Sequence, residues 1–368
     1  MKEKMRYLIL ANNSGGLYRF RKEVMARLLD DGHEVYAVTP FDASVDELRA
    51  LGVSLVGQRL NRRGTNPLQE AKLFIGYYKI LKKLNPDVVI TYTIKPGIYG
   101  GLLSRWLHIP YAVNITGLGT AFQNQGMLRS IIVRLWRAAL KSAKCVFFEN
   151  QENAQIFIDY GIVNREQTHV LHGAGVNLSD FPYSEYPEER SMTRFLFVGR
   201  VMKEKGIEEL LAALELLDEA GYNAKLDIVG WCEEDYEKQL ADFQERGLLE
   251  FHGFQTDVKP FIRSAHAFVL PSYHEGMANT LLEAAAMGRP LITSAIHGCM
   301  EAVIDGETGF LCTVQDTDSL TRQLQRFIDL PYEQKRQMGK KSHEHVAQCF
   351  DKSKVVEETV GVLYGKIC

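Results

Sequence analysis

Residues 268–284 read FVLPSYHEGMANTLLEA. The apolar run Phe268-Val269-Leu270-Pro271 has the make-up of a buried strand; a short loop holding Gly276 follows it, and a helix then starts. Strand, tight loop and helix form the unit from which parallel α/β sheets are built. The unit recurs along the chain. Further β-rich runs stand at 194–199, 225–230, 249–254, 290–293 and 309–312, and Ile207, Leu210, Leu211, Leu214 and Leu217 between two of them fit one helical stripe. An earlier series occupies 6–11, 34–39, 53–56, 87–92, 111–115 and 145–149. Stretches such as Tyr7-Leu8-Ile9-Leu10 are continuously apolar, as parallel strands covered on both faces require. Near residue 175 the alternation pauses in GAGVNLSDFPYSEYPEER, whose Gly173, Gly175, Pro182 and Pro187 read as a linker.

Two successive series of this kind predict an α/β protein made of two doubly wound, Rossmann-like domains facing a cleft, with ligands at the carboxyl ends of the strands. The expected boundaries are 1–175 for an N-terminal domain, 176–350 for a C-terminal domain, and 351–368 for a last helix carrying Val355, Val356, Val360, Val362 and Leu363. A length of 368 residues suits two domains of roughly 170–190 residues each. With 46% hydrophobic and 24% charged residues, the chain is neither collagen-like, nor disordered, nor a disulfide scaffold. No apolar run approaches the ~18 residues that span a bilayer. The six cysteines (145, 232, 299, 312, 349 and 368) show no CxxC pairing, which predicts reduced thiols in a cytoplasmic enzyme.

The net charge of −3 is unevenly split: residues 1–175 hold 23 Lys and Arg against 14 Asp and Glu, and the remainder 20 against 32. A basic first half suits an anionic partner such as a membrane surface or a phosphorylated substrate. Its cations are spread over several helices, which argues against nucleic acid.

The chemistry concentrates in two places. In the opening stretch, Glu275 sits in the loop and Glu283 about two turns into the helix, so the two carboxylates can bind different parts of one extended ligand. The free N–H groups around Gly276, Met277, Ala278, Asn279 and Thr280 favour an anion such as phosphate. Elsewhere, Val198-Gly199-Arg200 is followed by Lys205-Gly206 just before a helix; two cations after a strand make a diphosphate clamp, with an exposed loop of solvated charges as the alternative.

Together with Gly15-Gly16 in the first strand–helix turn and Glu301-Ala302-Val303…Gly306-x-x-Gly309-Phe310, these segments resemble the family-4 retaining glycosyltransferases of the GT-B fold, and the resemblance runs along nearly the whole chain. It implies that Arg200 and Lys205 bind the donor diphosphate, that Glu283 holds the ribose and that Glu275 contacts the transferred sugar. Gly230-Trp231 and the stretch from Phe254 to Val258 would frame the nucleobase, and Gly15, Gly16 and Gly199 would let backbone approach the donor. The chemistry implied is front-side, retaining transfer in which the leaving phosphate takes the acceptor proton, with Glu275, Arg200 and Lys205 as the catalytic set. No cofactor and no metal are expected. Asp316-Thr317-Asp318 spells DxD, but an apolar helical stripe follows it, so Asp316 reads as a helix N-cap. His343-Glu344-His345 lacks the spacing of a helical zinc pair and reads as an exposed helix face.

The acceptor side offers Asn13 in the Asn12–Tyr18 turn, the cations Arg62 and Lys95, and Asn114 and Thr116 at the end of the run 111–115. For the cations, solvation at the surface is the equal alternative. Family members often carry a histidine near Asn114, and this chain does not, so no histidine-assisted scheme is expected. Within the family the chain is most similar to enzymes that extend undecaprenyl-diphosphate-linked sugars, α-1,3-N-acetylgalactosaminyltransferases among them. That implies a UDP-sugar donor, a lipid-linked saccharide acceptor and work at the inner face of the cell membrane. The basic stretch 128–144, with Ile131, Ile132, Leu135, Trp136 and Leu140 as its apolar side, either lies on an anionic membrane or packs on its own sheet. Competing functions are a nucleotide-sugar 2-epimerase of the same architecture and a non-catalytic glycan- or lipid-binding scaffold.

Overall fold

A computed structural model describes residues 4–61, 66–118, 127–189 and 191–367. It divides into two compact units, Met1–Ala174 with Lys352–Cys368, and Gly175–Asp351.

Unit 1 runs β1 (Arg6–Leu10), α1 (Ser14–Asp30), β2 (Glu34–Thr39), α2 (Val45–Ala50), β3 (Ser54–Gly57), α3 (Pro67–Leu84), β4 (Val88–Tyr92), α4 (Ile94–Leu107), β5 (Tyr111–Ile115), α5 (Met127–Leu140), β6 (Cys145–Phe148), α6 (Gln151–Asp159) and β7 (Thr168–Val170). The strands form a parallel sheet in the order β3-β2-β1-β4-β5-β6-β7. All residues of β4, β5 and β6 are buried, which explains why these strands read as mainly apolar runs, interrupted by Thr91 and Asn114. The last of the seven escapes such a reading, because Thr168-His169-Val170 is a short, half-buried edge.

Unit 2 runs β8 (Thr193–Val198), α7 (Ile207–Glu219), β9 (Ala224–Val229), α8 (Glu237–Glu245), β10 (Leu249–Phe251), α9 (Lys259–Ser264), β11 (Ala267–Leu270), α10 (Asn279–Ala286), β12 (Leu291–Ser294), β13 (Gly309–Cys312), α11 (Thr317–Ile328) and α12 (Tyr332–Cys349). Its parallel sheet is ordered β10-β9-β8-β11-β12-β13. The stripe Ile207, Leu210, Leu211, Leu214 and Leu217 is buried in the unit 2 core, as the spacing predicts. A final helix, α13 (Lys352–Ile367), packs in unit 1: Val356, Val360 and Leu363 share a core with Leu17, Val24 and Leu28 of α1, and Lys352 Nζ donates to the Phe20 carbonyl at 3.3 Å.

The Asp316 carboxylate accepts from Ser319 N at 2.8 Å and caps α11, so that DxD is a cap. His343 and His345 are not an exposed face: their rings are half-buried and bond the carbonyls of Ala286 and Glu301 at 2.6 and 2.9 Å. In the basic stretch, Trp136 and Leu140 enter the core while Ile131 and Leu135 remain exposed.

Candidate active site

In unit 2 the chain starts at β8, builds outward through β9 and β10, then returns to the other side of β8 with β11. The point where the order reverses leaves a crevice beyond the carboxyl ends of β8 and β11, the place where open α/β sheets bind ligands. Both predicted motifs lie there. Gly199, Arg200 and Lys205 follow β8, and the stretch from Pro271 to Ala278 follows β11.

Lys205 and Glu275 form an ion pair across that crevice, with side chains 17% and 12% exposed. Ser272 Oγ donates to the same Glu275 oxygen at 2.8 Å. The sequence anticipates both charged residues; it does not anticipate that they meet. The backbone explains why they do. Gly206 is left-handed (φ +71), and a Cβ there would stand 2.1 Å from the Pro271 carbonyl oxygen. Tyr273 N donates to Glu204 O at 2.9 Å, so the two loops are pressed and bonded together.

Neighbouring loops are fastened in the same way. A Cβ on Gly230 would lie 1.8 Å from Gly199 O, and Gly230 N donates to Gly253 O at 2.8 Å. Beyond β12, Gly298 abuts the carbonyls of Glu275 and Gly276, and its own carbonyl accepts from Ala278 N at 2.8 Å. Glu301 holds Gly298 N at 2.7 Å with one oxygen and His297 Nδ1 at 2.8 Å with the other. Glu301 and His297 therefore fasten the Gly298 turn that presses on the loop after β11, an arrangement that spacing alone does not reveal.

Helix α10 begins at this crevice without a side-chain cap or an acidic residue in its first turn, so its dipole favours an anion there; of the N–H groups expected to be free, that of Ala278 is taken by Gly298 O, and Leu281 N bonds Ala278 O, which leaves those of Asn279 and Thr280 as the first-turn donors. Asn279 Oδ1 and His274 Nε2 there are buried without a hydrogen-bond partner. Gly276, Met277 and Ala278 are buried, Asn279 and Thr280 half-exposed. Glu283 is 5% exposed. Arg200 is half-exposed, its Nη1 3.8 Å from Glu233. At the ends of β9 and β10, Trp231 and Phe254 are exposed, with their rings 5.8 Å apart. Val258 is a core side chain, so only its backbone is left for a ligand.

In unit 1 the strand order reverses between β1 and β4. Asn13 caps α1 by accepting from Gly16 N, and a Cβ on Gly16 would lie 2.6 Å from the Asn13 Oδ1. Gly15 sits against Ala43. After β4, Thr93 adopts φ +75, a strained conformation for a β-branched residue.

Lys95 is not a free surface cation. Its ammonium bonds Glu70 Oε1 at 2.6 Å and Asn61 O at 2.7 Å. Asn114 is 3% exposed, and its amide donates to Thr91 O at 3.3 Å, so it serves the sheet in this structure rather than standing at the surface. Thr116 is half-exposed. Arg62 lies outside the described residues. A further charged pair lies at this edge: Arg21 of α1 and Glu149, just after β6, meet at 2.7 Å, almost wholly buried, with Arg21 4.9 Å over the Tyr92 ring. Their separation of 128 positions leaves no sequence signal.

Comparison with known proteins agrees with this architecture. Residues 14–179 match the family described as Glycosyltransferase Family 4, and residues 185–345 match Glycosyl transferases group 1. The chain is 27% identical, over 88% of its length and 90% of the relative's, to the N,N'-diacetylbacillosaminyl-diphospho-undecaprenol α-1,3-N-acetylgalactosaminyltransferase of Campylobacter jejuni. It is 28% identical to the UDP-Gal:α-D-GlcNAc-diphosphoundecaprenol α-1,3-galactosyltransferase of Escherichia coli, over 73% of each chain. Among solved structures, Anabaena HepE in complex with UDP and glucose superposes with a TM-score of 0.79 at 17% identity, covering 98% of this chain and 100% of that one. Sucrose-phosphate synthase from Thermosynechococcus elongatus gives 0.80 at 21%, covering 98% and 99%. At such identities the two structures establish the shared fold.

Proposed function

Because this chain belongs to the family-4 glycosyltransferases, its second unit being a group 1 glycosyl transferase region, we propose that it transfers a hexose or N-acetylhexosamine, with UDP-GalNAc as the first-choice donor, in α linkage and with retention, onto an undecaprenyl-diphosphate-linked sugar. The setting is bacterial surface-polysaccharide or glycoprotein-glycan assembly, at the inner face of the cell membrane. The observation that carries the reading is the Lys205–Glu275 ion pair at the switch point of unit 2, beside an uncapped helix N-terminus. Relatives whose names specify undecaprenyl-linked acceptors support the acceptor class.

Breaking the anomeric C–O bond leaves positive charge on the sugar and negative charge on the departing nucleoside diphosphate. Arg200, Lys205 and the α10 N-terminus would stabilise the leaving group, and Glu275 would face the cationic sugar. A diphosphate met by two cations and a helix end needs no metal, and Asp316 of the DxD triplet is already occupied as a cap. The departing phosphate takes the acceptor proton, so no protein base is assigned. Glu283 would hold the ribose, with Gly199, Gly230, Phe254 and the Val258 backbone around the nucleotide. In unit 1, Asn13, Gly15, Gly16 and Thr116 are the remaining substrate contacts we assign.

Glu275→Gln tests this directly, because it removes the charge with little change of shape. Transfer from UDP-GalNAc to a short-chain polyprenyl-diphosphate sugar should fall by about 10² or more, while UDP itself still binds. Full activity in Glu275→Gln would overturn the site, and preference for GDP or ADP over UDP would overturn the donor class.

A further inference from the structure

Strand β4 passes into α4 through a single residue: β4 ends at Tyr92, α4 begins at Ile94, and Thr93 between them has φ 75 and ψ 169. Ser44, Asn85 and His108 also have positive φ, but with ψ of 28, 62 and 31 they lie in the left-handed helical region that polar residues visit. Thr93 lies outside it, in backbone that glycine alone adopts freely, and its branched Cβ raises the cost. The packing shows why the turn is so abrupt. A Cβ on Gly97 would stand 2.6 Å from the Trp136 ring, and one on Gly100 2.7 Å from Leu10 Cδ1 and 2.9 Å from Thr91 Cγ2, so α4 lies too close on the sheet and on α5 to leave room for a loop. The chain on either side of Thr93 is also held. Asn114 bonds Thr91 O, and Tyr92 is buried under the Arg21 guanidinium, itself paired with Glu149. Lys95 is bonded to Glu70 and Asn61 O, and Gly97 N donates to Thr93 O at 2.9 Å. Fastening of this kind is what lets a strained residue persist.

The tight turn accounts for the backbone but not for the side chain. Glycine would make the same turn without strain. Threonine instead brings a hydroxyl whose oxygen is buried and has no hydrogen-bond partner among the described residues. Thr39 and Thr91 leave hydroxyls unpartnered too, yet both are wholly enclosed, whereas Thr93 is half-exposed. It stands at the carboxyl end of β4, beside the reversal of strand order between β1 and β4, where an open α/β sheet takes its ligand. A residue costly in its backbone and unmet in its hydrogen bonding is accounted for by a partner outside the chain.

We propose that Thr93 is a specificity-determining residue for the acceptor, its hydroxyl bonding a hydroxyl of the acceptor's sugar, with Tyr92, Arg21 and Glu149 as the residues that position it. This rests on the reading above that unit 1 takes a saccharide acceptor. The threonine hydroxyl both donates and accepts a hydrogen bond, as a sugar hydroxyl does, so the two satisfy one another. Because the residue as a whole is half-exposed, a turn about χ1 carries the oxygen from its inward place to the ligand. The strain is then the cost of having a hydroxyl where the turn itself asks for glycine.

The test uses the full chain with Thr93→Gly, Thr93→Val and Thr93→Ser, UDP-GalNAc as donor and a short-chain polyprenyl-diphosphate sugar as acceptor. Thr93→Val keeps the branched shape and loses the hydroxyl, so the acceptor KM should rise about tenfold, with kcat at saturating acceptor and UDP affinity unchanged. Thr93→Ser keeps the hydroxyl and should stay within about twofold of the wild type. Thr93→Gly should raise the acceptor KM as the valine does and yet melt about 2–4 °C higher, the strain released outweighing the chain freedom that glycine adds. An acceptor KM unchanged in Thr93→Val and Thr93→Gly, a melting temperature that does not rise in Thr93→Gly, or a loss of UDP affinity in step with the acceptor would each overturn the proposal. Stabilisation of the wild type by the polyprenyl-diphosphate sugar reads the function separately. A wild type that binds UDP and is not stabilised by that sugar would strike the acceptor class and this proposal with it; stabilisation that persists undiminished in Thr93→Val and Thr93→Gly would strike only the role of Thr93.

Discussion

Lys205→Ala is expected to lower kcat/KM by about 10²–10³, the loss that follows removal of one preorganised charge partner, about 2.7–4 kcal/mol of transition-state stabilisation. The value applies because Lys205 is held rather than waving in solvent: its side chain is 17% exposed, on a loop pinned through Gly206 and the Glu204 carbonyl to the loop after β11. The substitution also leaves Glu275, only 12% exposed, without that cation beside the incoming diphosphate. Both effects act against the donor, so UDP-sugar affinity should fall together with turnover. Loss of turnover with unchanged donor affinity would place Lys205 away from the diphosphate.

Gly206→Ala is expected to destabilise the protein by about 3 kcal/mol. Roughly 1–2 kcal/mol comes from holding an L-residue in the left-handed region, and a further 1–3 kcal/mol from the overpacking of a methyl group against backbone. The obstructing atom is the Pro271 carbonyl oxygen, 2.1 Å from the Cβ position, which cannot rotate aside as a side chain could. Denaturant unfolding monitored by circular dichroism measures it. A change below about 0.5 kcal/mol would mean that the loops after β8 and β11 are not pressed together.

Much of this was legible in the residues. Strands buried on both faces announce themselves as apolar runs, so twelve of the thirteen strands among the described residues follow from the sequence to within a residue or a few at their ends; Thr168–Val170 does not, because three half-buried edge residues carry no periodicity. The charged residues of the loops after β8 and β11 are legible one by one. Their pairing is not, because Lys205 and Glu275 are 70 positions apart and only the sheet order brings them together. Lys95 looked free for the same reason: Glu70 lies on another helix, and its reach across to Lys95 depends on how α3 packs on α4. The apolar side of the basic helix is narrower than its sequence suggests, since a helical stripe does not say which of its members meet the sheet. Val133, Trp136 and Leu140 do, and Ile131 and Leu135, on its flank, do not.

The measurement that bears most directly on the central claim is calorimetric titration of UDP and UDP-GalNAc into the wild-type chain, Lys205→Ala and Glu275→Gln, all in excess chelator. The account predicts that the wild type binds both ligands without metal, that Lys205→Ala weakens both, and that Glu275→Gln keeps UDP while losing the added affinity given by the sugar. Wild-type binding that disappears with chelator, or two variants that bind both ligands as the wild type does, would contradict a donor site built on this ion pair.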